Sequence, residues 1–134
     1  MYGSSITVEM AKQLAAPAIA EARKNQWTMA VAIVDISGAL VYFEKMDDTQ
    51  NGSVGVSIAK ARSAALFKRA TKVFQDGLAA GGAGLRILAL EGAVPIEGGV
   101  PIVVGGKIVG AIGVSGGTSD QDGAVAAAAL ATLA

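Results

Sequence analysis

The stretch Glu97-Gly98-Gly99-Val100-Pro101 carries the densest chemical signal in the sequence. Adjacent glycines can take positive φ and turn backbone N–H groups toward one point, a concavity that suits an anion. Glu97 adds a carboxylate able to serve as base, hydrogen-bond acceptor or metal ligand. The same residues also suit a plain turn between strands. A second glycine-dense stretch, Gly110 to Gly117, ends in Ser115-Gly116-Gly117 and enters Thr118-Ser119-Asp120-Gln121-Asp122. A strand closing on Ser-Gly-Gly before a capped helix again aims free N–H donors at one spot. No phosphate-loop or dinucleotide glycine motif is present, so nucleotide binding has little support. Asp120 and Asp122 read first as acids of a helix's first turn, where they complement its dipole.

Five cations, Lys60, Arg62, Lys68, Arg69 and Lys72, follow one another with no acid between them. If one helix ran through them, Lys60, Lys68 and Lys72 would share a face, with Arg62 and Arg69 opposite. One group would then face solvent and the other a partner or pocket. Lys60 stands apart because Ile58-Ala59, Ala61 and Ala64-Ala65 surround it. A lysine in such a helix either snorkels or pairs with a carboxylate. Lys60 as electrophile or charge clamp, with Glu97 or Asp122 as base, could move a proton next to a carbonyl. Such a chain would be a cofactor-free enzyme acting on a small organic acid. Lys60 or Arg69 against the Gly98-Gly99 donors would instead hold an anionic ligand. A third reading, an interaction module, predicts large apolar faces and no enclosed pocket. Met46, in Glu44-Lys45-Met46-Asp47-Asp48, suits a core position better than a ligand position.

The composition narrows these choices. The 134 residues contain no His and no Cys, which removes disulfides, thiol nucleophiles, thiolate metal sites and the usual neutral-pH base. Eleven Lys+Arg balance eleven Asp+Glu, a poor match to nucleic acid. No apolar run is long enough to span a membrane, and Met1-Tyr2-Gly3 does not open a signal peptide. As given, the chain reads as cytoplasmic, or as periplasmic or secreted if a signal has been removed. A neutral chain that is 52% hydrophobic but has only six aromatics tends toward self-association, so a homo-oligomer is expected.

One domain, 1–134, must position these residues. Ala11, Leu14, Ala15, Ala18, Ile19 and Ala22 recur at helical spacing after an N-cap at Thr7, with Glu9 in the first turn. Pro17 should kink this helix or mark an early irregularity in it, and the helix should stop near Asn25. Trp27–Ile36 and Leu40–Met46 read as strands joined at Ser37-Gly38. Helices follow over 54–67 and 71–80, stopped by Gly81-Gly82-Ala83-Gly84. Leu85–Leu90, Val100–Val104 and Lys107–Val114 read as three more strands, the last two joined at Gly105-Gly106. Thr118 with Gln121, or Ser119 with Asp122, forms a capping box for an Ala-rich last helix reaching Ala134. The order α-β-β-α-α-β-β-β-α predicts an α+β fold. It is a five-stranded antiparallel sheet with helices on both faces, a profilin-like or roadblock-like three-layer sandwich. Strands one and five, apolar on both faces, should be central.

These pieces, in this order, resemble one family: the GlcG/HbpS-like haem-binding proteins, which also form the C-terminal domain of PduO-type proteins. The resemblance runs from Ile6 to the last helix. It rests on Val34 to Leu40, Met46-Asp47, Ala59-Lys60-Ala61-Arg62-Ser63-Ala64, Arg69-Ala70-Thr71, Glu97 to Pro101, Gly110 to Gly117 and Asp120-Gln121-Asp122. It implies an antiparallel sheet flanked by helices, assemblies from dimer to octamer, and binding of haem or another small molecule in an accessory catabolic role. It places the site at Lys60, Thr71, Glu97, Gly98 and Gly99, beside the Arg69, Ser115 and Gly116 candidates. Haem iron usually takes His, Cys, Met or Tyr, and the first two are absent. Met46 and Tyr42 remain as iron ligands, with Tyr2 or the Thr71 oxygen behind them, while Arg and Lys suit the propionates.

Overall fold

A computed structural model describes residues 1–133. The first helix, α1 (Val8–Lys24), forms as the periodicity predicts. Thr7 accepts a hydrogen bond from the Met10 N–H, and all six residues of the apolar stripe are buried. The helix continues through Pro17 without a break. Strands β1 (Ala30–Asp35) and β2 (Leu40–Lys45) form the first hairpin. Helices α2 (Gly52–Phe67) and α3 (Thr71–Ala79) follow. Lys68 between them has φ 56°, a left-handed residue that ends α2. The lysines at 60, 68 and 72 therefore do not share one continuous helix face.

The predicted strand Leu85–Leu90 is a correction. Residues Gly82–Ala89 form 3-10 turns instead, so the sheet has four strands and not five. Leu85 and Leu88 are 56% and 70% exposed, spaced so that a 3-10 helix stacks them on one side. Gly81 and Gly82, both at positive φ, set the entry, and Gly84 lies directly against the backbone of Gly77. The segment thus packs on α3 and never reaches a sheet edge.

Strands β3 (Gly99–Val104) and β4 (Lys107–Ser115) close the sheet, in the order β2-β1-β4-β3, antiparallel throughout. Gly105 and Gly106 have φ 58° and 77°, the pair of positive angles a two-residue hairpin turn requires. Pro101 sits on the edge strand, where a missing N–H is tolerated. The two central strands are β1 and β4, as their apolar faces predict. Val31 and Ile33 pack with Ile112 and Val114 under α1 and the last helix, α4 (Ser119–Leu130), which ends before the expected Ala134, a residue outside those described. Ala32, Val34 and Ala111 face Ala61, Ala64 and Ala65 of α2 on the other side. Helices therefore cover both faces. Small residues let α2 settle onto the sheet, so a Cβ on Gly113 would strike the Ser57 carbonyl and the Ala61 nitrogen.

Candidate functional site

Several of the candidate residues converge where β3 begins and β4 ends. Val114 N–H donates to the Gly98 carbonyl at 3.0 Å, which lays the Glu97-Gly98-Gly99 turn against the end of β4. Gly98 has φ 134°, and a Cβ there would meet Val114 O at 2.5 Å and Lys60 Nζ at 2.9 Å. Only glycine allows that approach. Gly99 N–H donates to Thr71 Oγ1 at 2.9 Å, so this donor is spent inside the protein.

Lys60 neither snorkels nor reaches solvent. It is 1% exposed and donates to Asp122 Oδ2 and to the Val114 carbonyl, each at 2.9 Å. Asp122, 3% exposed, also accepts from the Gly117 N–H at 2.9 Å. Burial pushes the Asp122 carboxyl above its ordinary value, and Lys60 with the Gly117 N–H offsets only part of that. The pair therefore ties α2, the end of β4 and the first turn of α4 together. The capping box of α4 is the Thr118–Gln121 pair, which leaves Asp122 free to point inward. Ser115 donates its hydroxyl to Ser53 at 3.2 Å, and Gly116, at φ 150°, rests on the backbone of Thr28 and Met29. Among the described residues no buried side-chain polar atom lacks a partner.

Two candidates lie away from this interior knot. Glu97 is half-buried, and its carboxylate covers Gly123 rather than meeting Lys60. Its N–H donates to Gln75 Oε1 at 2.8 Å. Its charge also helps raise the Lys72 ammonium, after the larger effect of Asp76. Arg69 is exposed, donates to the Phe67 carbonyl and stacks 5.5 Å over the Phe74 ring.

Two surface hollows lie among the described residues, and neither is lined by Lys60 or Asp122. One, about 300 Å³, is polar and lined by Arg23, Glu44, Lys45, Met46 and Asp47. The other, about 270 Å³, lies along α2 and includes Ile58, Ala59, Arg62, Leu66 and Val94. Sequence reasoning placed Arg62 on the face opposite the lysines but assigned it no site. Its neighbours 92–94 are brought in by a turn 30 residues away, which no local pattern announces.

These hollows allow a test of haem against the residues present. The Tyr42 hydroxyl donates to Glu44 Oε1 at 3.1 Å, and that bond raises its pKa away from the phenolate that binds iron. Tyr2 donates to the Ala65 carbonyl at 2.5 Å. Met29 is wholly buried, whereas Met46 borders the polar hollow, with Arg23 and Lys45 in reach of propionates. The apolar walls that a porphyrin face needs lie instead in the Arg62 hollow, which has no sulfur or nitrogen ligand. The residues thus do not fit an enclosed haem with ordinary axial ligation. No group of three or more acidic residues among those described is placed to hold a metal ion. No helix among them is long and apolar enough to cross a membrane.

Residues 6–131 match the model of the family described as "Haem degrading protein HbpS-like". Protein GlcG of Escherichia coli (strain K12) is 40% identical over 110 residues, 82% of this chain and 81% of that protein. Among solved structures, a PduOC:heme complex superposes with TM-score 0.84 at 28% identity, covering 95% of this chain and 94% of the other. A double mutant of HbpS from Streptomyces reticuli superposes with TM-score 0.89 at 27% identity, covering all of this chain and 90% of the other.

Proposed function

The chain belongs to the HbpS-like family, and from that premise we propose that it is a homo-oligomeric accessory protein binding haem or a related small anionic molecule. The observation that carries this reading is the chain-wide likeness, in sequence and in fold, to a domain crystallised with heme. The buried Lys60–Asp122 pair and Thr71 hold the two glycine turns in place, and the ligand meets residues with exposed surface. Of the glycine-turn and lysine-helix candidates, Arg69, Glu97 and Gly116 are not buried, and Arg69 alone among them carries positive charge. Arginine and lysine pair with the ligand's carboxylates, so charge and apolar contact, rather than an axial bond, hold it. The exposed Val73, Leu85, Leu88, Leu90 and Ile96, clustered on and after α3, support self-association. Titration with hemin, followed at the Soret band, should give a saturable shift with a protein mass that is a multiple of the protomer. A linear, unsaturable response would overturn the reading.

A further inference from the structure

The hollow along α2 joins three features that the interior knot lacks. Its walls are apolar, from Ile58 and Leu66 on the helix and Val94 across from them. It is preformed, because the Val94 N–H donates to the buried Ser63 hydroxyl at 3.0 Å and holds the loop 92–94 against α2. It carries one charge, the exposed Arg62. Arg62 makes a single long hydrogen bond, 3.4 Å to the Gly38 carbonyl, and no acidic residue lines the hollow. The ion pairs among the described residues are Lys60–Asp122 and Lys72–Asp76, neither of which involves Arg62. A guanidinium fork with most of its N–H groups uncommitted, beside an apolar wall, matches a carboxylate borne on a flat apolar body.

Size narrows the occupant. At about 270 Å³ the hollow lies just below the usual range for small-molecule pockets, roughly 300–1,000 Å³. It admits one aromatic ring with its carboxylate, or one edge of a larger macrocycle. No sulfur or nitrogen ligand lines it, so a metal at the centre of such a macrocycle would gain no bond here.

We propose that the Arg62 hollow is a binding site for flat apolar carboxylates, and that it takes a tetrapyrrole by its propionate edge, without a bond to iron. The proposal rests on the tetrapyrrole-binding reading above and deepens it. Iron is incidental to the affinity, and iron-free and iron-loaded rings compete for one place. Gly55 supplies a clean way to close that place. It lines the hollow, and a Cβ built on it meets nothing within 4 Å, so a larger side chain enters open space without disturbing α2.

The test titrates wild type, Arg62→Ala and Gly55→Leu with hemin and with protoporphyrin IX, checking each variant's fold by its thermal transition. The wild type should bind both rings with affinities within about threefold of each other. Arg62→Ala should weaken both by about tenfold, the weight of one charge-assisted hydrogen bond at a partly exposed site. Gly55→Leu should abolish both while raising the thermal midpoint, since glycine is a poor helix residue. If hemin binds and protoporphyrin IX does not, iron carries the affinity; this inference falls and the haem reading stands. If both rings bind the wild type and both variants alike, the site lies elsewhere and the inference also falls. If neither ring binds the wild type, the function proposed above falls with it.

Discussion

Removing the Asp122 carboxylate should cost more stability than any surface change in this protein. In Asp122→Ala the Lys60 ammonium, 1% exposed, keeps one neutral partner, the Val114 carbonyl at 2.9 Å. The Gly117 N–H loses its acceptor at the same time. Breaking a buried pair from one side costs roughly 3–5 kcal/mol, because the remaining charge stays out of water. A domain of this kind has only about 5–15 kcal/mol in total. The single variant should therefore lose about a fifth or more of its stability in equilibrium urea unfolding followed by circular dichroism. The double variant Lys60→Met/Asp122→Leu removes both charges and keeps much of the volume. It should recover most of the loss, short of about 1–2 kcal/mol for the unpaired Gly117 N–H. Asp122→Asn, which keeps an acceptor for Gly117, should fall between them. The reasoning is refuted if Asp122→Ala stays within about 1 kcal/mol of wild type, or if the double variant is less stable than the single.

Other expectations follow from single contacts. Gly113→Ala would press a Cβ onto the Ser57 carbonyl and the Ala61 nitrogen, and overpacking of this kind costs about 1–3 kcal/mol in the same unfolding assay. Thr118→Ala removes the Gln121 N–H acceptor from the α4 capping box and should cost about 1 kcal/mol, with helical signal lost mainly from the C-terminal segment by amide exchange. Two carboxylates should give opposite pH signatures. The Ser37 hydroxyl, and then the backbone N–H groups of residues 37–39, hold Asp35 below its ordinary value of 3.8. The stability it contributes is present above that value and is lost as pH falls through its folded pKa. Asp122 is raised, so above 3.8 the folded state holds the proton longer than the unfolded one. Its contribution shrinks as pH rises from there toward its folded value. Carboxyl NMR titration of wild type, with Asp35→Asn and Asp122→Asn as assignments, should place the two on either side of 3.8. The same side for both would contradict the geometry.

Much of the local structure was legible because its causes are local. The stripe of Ala11, Leu14 and Ala18 can form only one buried face, and Thr7 and Thr118 cap helices through N–H groups three residues away. Gly105-Gly106 encode a two-residue hairpin by allowing positive φ twice. The run from Leu85 to Leu90 was misread because six apolar residues say nothing about what they will pack against. Here a glycine contact with Gly77 holds the segment on α3, where strand pairing would have needed a free edge. Among the residues that the sequence singles out, the structure brings Lys60, Thr71, Gly98, Gly99, Ser115, Gly116 and Asp122 close together. Their gathered form is a closed interior knot with Gly116 at its rim, while Arg69 and Glu97 remain at the surface.

The sequence alone determined the absence of His and Cys, and with it the kinds of ligation this protein can offer, since no fold can supply a missing side chain. It also determined which strands would be central, because β1 and β4 are apolar on both faces. Only tertiary structure decided the partner of Lys60. Glu97 and Asp122 are both carboxylates within reach in sequence terms, and the choice depends on where α4 starts relative to the end of β4. That same packing left Arg62 without an acidic partner among the described residues, beside walls contributed by residues 92–94. Pairings across such separations are set by register and helix placement, and those exist only once the chain has closed on itself.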